Sequence, residues 1–232
     1  MTVDKDLGTI TFSHNQRAKR LSVRILSDSL QVTLPKNQTE KDGLKFIDEI
    51  REKLIKKQAN ISKKTIFLSE ENGLKTCSFD VRIRKADRTN IYASLKSGVL
   101  TIEYPQQLSA EDNQTQIYFW NSINYFLRKE AKRLLPVRTI ELAKQFGFMF
   151  QDVKIQSSKS RWGSCNSRKN INLSLYLMLL PQHLIDYVIL HELCHTKIMN
   201  HSEDFWKLMN NVTDGKSKEL RYEMKSFVIP KH

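Results

Sequence analysis

Residues 191–201 read HELCHTKIMNH and hold three of the six histidines in the chain. His191 and His195 are four apart, so on a helix they stand one turn apart on nearly one face. Two imidazoles so placed can reach a single ion at about 2.1 Å each. Glu192 follows the first of them, as in H-E-x-x-H, where the carboxylate stands beside the open coordination position instead of on the metal. There it can take a proton from water and later hand it to a leaving group. The spacing therefore predicts a divalent metal site, with Zn2+ as the ion that suits neutral imidazole.

A third ligand is expected close by. His201 is the first candidate, because Asn200 followed by Glu203 reads as a capping-box variant. On that reading one helix ends near Met199 and a second begins with His201 in its first turn, and the corner between them swings His201 back toward the ion. Glu203 and Asp204 are the alternatives, each able to supply an oxygen. Cys194 points away from both histidines on a helical wheel and reads as a buried, inert thiol. Cys165 reads as structural, and His14, His183 and His232 lie outside the motif.

The elements that must position these residues follow from periodicity. Pro181 sits where a helix can begin, and Leu184, Ile185, Val188, Ile189 and Leu193 give the metal helix a broad apolar face. Before it, VKIQSS, SRWGSC and INLSLYL read as strands joined by the turn NSRKN. Further back, residues 109–147 read as helix with Ser109 as cap, apolar Ile117, Trp120, Ile123, Phe126 and Leu127, a kink or restart at Pro136, and Gly147 as C-terminal cap. The first third is β-rich. KRLSVRIL and LQVTL alternate about a Ser-Asp-Ser turn, one helix is expected over 40–58, and strands return at 64–68, 74–85, 90–96 and 99–104, the last two as a hairpin. The composition changes at Pro105, so the organisation expected is an N-terminal β-rich portion over 1–105 and a catalytic portion over 106–232. The fold class is α+β.

The whole chain narrows the function classes. Its 232 residues are 40% hydrophobic and 27% charged, as in an ordinary globular protein. The N-terminus lacks the apolar run of a signal peptide, and INLSLYLMLL is too short to span a bilayer. Three widely spaced cysteines make neither a disulfide framework nor a thiolate metal knuckle. The expectation is a reduced, cytoplasmic protein without a membrane partner. The formal net charge is +13, spread as 20 basic and 13 acidic groups over residues 1–110 and 18 and 12 over the rest. Such a surface attracts anions, weak nucleic-acid binding among them, or simply aids solubility.

The stretch from Ser160 to Trp206 resembles the YgjP-like family of zinc metallopeptidases, related in outline to the SprT-like and WLM proteases. The family pattern falls on Ser160 to Cys165 (Ser-Arg-Trp-Gly-Ser-Cys), Leu180 and Pro181, Asp186 to Val188, His191 to His195, and Asn200 to Trp206. The resemblance implies a zincin-like catalytic portion, a small antiparallel sheet plus the H-E-x-x-H helix, with His191, His195 and His201 on zinc and Glu192 as general base. It leaves the substrate open. The spacing to His201 equals that of metzincins, but Ile198 replaces their central Gly, which argues against that group. In zincins an edge strand before the metal helix binds the peptide as an added strand. INLSLYL takes that position, with SRWGSC paired to it.

Around this core several residues have two readings. Trp162 is a hairpin or core aromatic, or a wall of the substrate site. Lys159, Arg161, Arg168 and Lys169 form an acid-free run that steers an anionic substrate or is a solvated turn. Asp186 is a first-turn acid favoured by the helix dipole or a partner of Arg161 beyond the metal ligands. The function that fits best is a zinc-dependent peptidase acting on protein or peptide. The alternatives are a metal-dependent hydrolase of nucleotides or other phosphate esters, and a nucleic-acid-associated protein with a structural zinc.

Overall fold

A computed structural model describes residues 2–25, 29–62 and 66–229, with the backbone alone over 59–62. The Ser-Asp-Ser turn, the strand expected from 64 and the terminal His232 fall wholly or partly outside these residues. The chain divides into two compact units, Met1–Thr65 and Ile66–Pro230, each with its own apolar core. The division does not fall at the compositional change near Pro105. Val81, Ile83, Leu100 and Ile102 share one core with Phe119, Ile123 and Leu127 beyond it, and burial, not composition, decides which strands belong together.

The first unit holds β1 (Thr2–Asp4), β2 (Gly8–His14), β3 (Ser22–Ile25) and β4 (Ser29–Leu34) in the order β1-β2-β4-β3. The expected β3–β4 hairpin is present, with Val23 opposite Val32. Ile10, Leu30, Val32 and Leu34 face inward and pack with Ile47 and Leu54. The helix expected over 40–58 is two helices, α1 (Glu40–Glu49) and α2 (Arg51–Ser62). A capping box between Thr39 and Asp42 starts the first, and Ile50, at φ −114 and ψ 13, interrupts the pair.

The second unit opens with β5 (Leu74–Lys75), β6 (Asp80–Ala86), β7 (Tyr92–Lys96) and β8 (Val99–Pro105), in the order β5-β6-β8-β7. Its directions repeat those of the first sheet: the inner pair is parallel and both outer pairs are antiparallel. Then α3 (Asn113–Phe146) runs as one helix through Pro136 and ends on Gly147, whose φ of 66 is the left-handed cap that favours glycine. Its N-cap is Asp112, not Ser109, and Ile117 faces solvent while Phe119 enters the core.

The remaining elements frame the histidines. β9 (Asp152–Gln156), β10 (Gly163–Cys165) and β11 (Asn170–Ser174) form a sheet in the order β10-β11-β9. It is mixed, not antiparallel, because β11 runs parallel to β9. INLSLYL is only half strand. Ser174 ends it by donating to the Ser158 carbonyl and accepting from the Tyr176 N–H, which starts a buried 3-10 helix over Leu175–Leu179. Then come α4 (Gln182–His195), α5 (Glu203–Val212) and α6 (Ser217–Met224). Nearly every position of α4 after the first turn is buried, as a central helix requires. Among the described residues no helix is long and apolar enough to cross a membrane.

Candidate metal centre

The motif helix α4 ends at His195, one turn after His191, and α5 starts only at Glu203. His201 therefore lies in the connecting turn, not in the first turn of α5, and the N-cap is Ser202, not Asn200. The turn is built by the amides of Lys197 and Ile198, which both donate to the Cys194 carbonyl. It brings His201 over α4. His201 Nε2 lies 3.1 Å from His191 Nε2, which lies 3.2 Å from His195 Nε2. Among the described residues these three form the one cluster whose ligand atoms converge in this way. Glu203 and Asp204 are turned to solvent and pair with Lys207.

Three observations show that these side chains fit a divalent ion. Nitrogens bound at about 2.1 Å in tetrahedral directions stand about 3.4 Å apart, close to the spacing seen. His195 Nδ1 donates to the Ile198 carbonyl at 3.0 Å, which leaves the lone pair on Nε2, facing the other rings. Burial pushes the His191 pKa down to about 3, with His195 and His201 adding to the effect. Burial likewise lowers that of His195. Both rings are thus neutral at physiological pH, as a ligand must be. Phe205, fully buried, makes a common floor, its ring 4.9, 4.6 and 4.8 Å from those of His191, His195 and His201.

Glu192 stands beside the cluster and not in it. It is only 5% exposed, and its Oε2 has no hydrogen-bond partner among the described residues. Burial pushes its carboxyl up to about 8, partly countered by Arg161. Its approach to β10 depends on Gly163, since a Cβ there would lie 2.6 Å from Glu192 Oε1. Both residues open onto a cleft of about 620 Å³ that also exposes His191 and His201.

Arg161 and Trp162 line this cleft, so two of the residues expected beside a substrate are present. Lys159, Arg168 and Lys169 do not line it; the last two are exposed in the turn between β10 and β11. Tyr187, Trp206 and Arg221 line it as well, with the Arg221 guanidinium 4.7 Å from the Trp206 ring. Glu192 is the only carboxylate among the lining residues. Asp186 has a different role from either reading above. It receives both Arg138 Nε and Nη2 at 2.8 Å, tying α4 to α3. Burial pushes the Cys194 thiol up to about 12, as expected of an inert core cysteine.

The sequence assigns no role to Phe205, although it lies in the family pattern four residues after His201, and it does not announce Arg221 or the Gly163–Glu192 approach. Arg221 lies twenty residues beyond His201, and only the fold brings it to the cleft. The free edge of the sheet also differs from expectation. INLSLYL supplies the central strand β11, so β10 and β9 are the edges, and β10 is the one whose Gly163 lines the cleft. The Ser174 amide donates to the Trp162 carbonyl and that of Asn166 to Asn170, so Gly163 and Cys165 turn their backbone groups away from β11.

No curated protein matches the chain. Two crystal structures of metallopeptidase zymogens are similar at 22% identity: Pyrococcus abyssi abylysin and Methanocaldococcus jannaschii jannalysin. Each similarity covers 40% of this chain, with 95% and 94% of theirs and TM-scores of 0.37 and 0.36. The YgjP-like metallopeptidase domain matches residues 19–227, nearly the whole chain. The protein belongs to the YgjP-like metallopeptidase family.

Proposed function

We propose that the chain is a zinc-dependent peptidase in which His191, His195 and His201 hold the ion and Glu192 is the general base. The observation that carries this reading is the convergence of three Nε2 atoms beside a buried carboxylate with an unpartnered oxygen. Bound zinc supplies Lewis acidity to the scissile carbonyl. Glu192 takes the proton of the attacking water as its oxygen bonds to the carbonyl carbon. It then delivers that proton to the departing amide nitrogen as the C–N bond breaks. Burial holds its pKa high, and a cation nearby lowers it again, toward the working pH. Gly163 leaves the space in which the carboxylate sits.

An extended substrate is received on the open edge of β10, where Gly163 and Cys165 offer their backbone groups. Arg161 and Arg221 on the cleft wall, with no carboxylate lining it besides Glu192, favour acidic peptides. The test is metal content of the purified protein together with hydrolysis of casein and of acidic and basic peptides. Glu192→Gln should keep the zinc and lose about 10²–10⁴-fold of the hydrolysis. Loss of zinc in that variant would make Glu192 a ligand and overturn the assignment. The same two guanidinium groups also suit a phosphate ester. Nucleoside triphosphates assayed alongside the peptides separate that second reading.

A further inference from the structure

The two four-stranded sheets share one design and differ in how the charges beside them are paired. Their registers superpose residue for residue along the inner strands. Ile10 opposite Leu30 corresponds to Val81 opposite Leu100, and Ser13 opposite Thr33 corresponds to Arg84 opposite Glu103. A proline closes each last strand, Pro35 just after β4 and Pro105 at the end of β8, before a helix with a side-chain cap. In the second copy Glu103 bonds both Arg84 on the outer face and Arg88 in the loop above it. In the first copy Thr33 stands where Glu103 would be and Ser13 where Arg84 would be, while Arg17 keeps the basic position of Arg88 in the loop.

Between Asp6 and Glu40 the sequence carries Arg17, Lys19, Arg20, Arg24 and Lys36 against one acid, Asp28. All five are exposed. Arg17, Lys19 and Arg20 lie in the β2–β3 connection and Lys36 just beyond β4. The Asn15 amide bonds the Leu34 carbonyl, so both segments share one end of the sheet. Arg24 stands on the outer face in register with Gln31 and Thr11. Around it that face presents Thr9, Ser13, Ser22 and Thr33, the partners of one register on strands whose inward side chains are Ile10, Val32 and Leu34.

We infer that the outer face of the first sheet, with the β2–β3 loop, binds the phosphate backbone of nucleic acid. Guanidinium, ammonium, hydroxyl and amide groups are the donors that phosphate and sugar oxygens take from a protein. Attraction to a polyanion grows with every such cation through counterion release. A membrane surface is the poorer match. Val3 and Ile55 are the large apolar side chains that this unit exposes among its described residues, and they are far too few to insert into lipid. An acidic protein would be expected to meet apolar anchors as well as charge.

The experiment is a salt titration of the full chain with a fluorescent single-stranded 20-mer and its duplex. Arg17→Glu/Lys19→Glu/Arg20→Glu should bind about tenfold or more weakly, and its slope of log affinity against log salt should fall by about 2 to 3. Thr33→Glu, which restores the acid of the second copy, should weaken binding through a single exposed-face substitution. Arg168→Glu/Lys169→Glu should bind as the unaltered protein does, and all variants should keep their circular dichroism and melting temperature. Undiminished binding in the loop triple variant would overturn the inference. So would loss of binding in the Arg168/Lys169 variant, or no binding at low salt. Equal affinity for polyglutamate or phosphatidylserine vesicles would reduce the face to a general anion attractant and overturn it too.

Discussion

A side chain of any size at position 163 would collide with Glu192: a Cβ there lies 2.6 Å from Oε1 and 2.8 Å from Cγ. The strand that edges the cleft and the helix that carries His191 and His195 thus approach closely only because residue 163 is a glycine. Gly163→Ala should leave the three histidines and their metal in place while displacing the carboxylate. Misplacing a reacting group by about 1 Å can cost about 10²-fold in rate. The check is kcat with metal content on the same sample. An alanine variant that lost metal and activity together would show a general collapse of the site instead.

The raised pKa of Glu192 makes it a cost to stability in the metal-free protein. Its folded-state value of about 8 lies above the ordinary 4.5. The folded chain therefore holds the proton more tightly than the unfolded chain. That stabilising contribution is full below pH about 4.5 and is lost as pH rises through about 8. Glu192→Gln removes the titration, so the metal-free variant should melt above the unaltered protein, by a margin that widens between those two pH values. Scanning calorimetry in chelator across that range is the measurement. A margin that shrinks with pH would contradict the buried-acid account.

Phe205 touches all three imidazoles and is itself fully buried. Phe205→Leu keeps the core apolar but removes the flat floor. Groups that orient metal ligands typically account for about 10–100-fold in metal affinity, and a loss in that range is expected from titration against a competing chelator. The fold should survive, since leucine keeps the site apolar and most single substitutions cost about 0.5–3 kcal/mol.

Asp186 ties α4 to α3 through Arg138 and stands apart from the metal cluster. Asp186→Asn should lower stability by about 1–3 kcal/mol, the range for a partly buried charged hydrogen-bond partner. The melting temperature should fall by roughly 2–4 °C for each of those kcal/mol. Activity per folded molecule should not change. A pH–rate profile that moved with the substitution would instead place Asp186 in the chemistry.

What could be read from the chain beforehand was local. His191, Glu192 and His195 are legible because a helix converts a spacing of four into one face, and the β3–β4 and β7–β8 hairpins because alternation survives on both sides of a turn. His201 was legible as a neighbour, although the cap that positions it was assigned two residues too early. INLSLYL misled because apolar alternation continues past Ser174 into a buried 3-10 helix, where burial on all sides erases the difference between periods. The unit boundary was misplaced because composition changes at Pro105 while the core does not. The paired sheets escaped notice because they share strand directions and register, not residues: Glu103 answers to Thr33, and Arg84 to Ser13. Arg138 and Asp186 are 48 positions apart, so nothing local announces the clamp.

The brevity of β10 has a consequence for what such an enzyme can destroy. Three residues of edge leave Gly163 and Cys165 facing outward, and two residues have only four backbone groups to give. At about 1 kcal/mol net for each hydrogen bond, the main chain of a passing polypeptide gains about 4 kcal/mol, which is millimolar affinity before any ordering entropy is counted. On the proposed mode of binding, main-chain contacts alone would therefore hold an arbitrary unfolded stretch only weakly. On that proposal discrimination would fall to the side chains that meet Arg161, Trp162 and Arg221 in the cleft, and the short strand would act as a safety catch, keeping a hydrolase with an open cleft from consuming its neighbours.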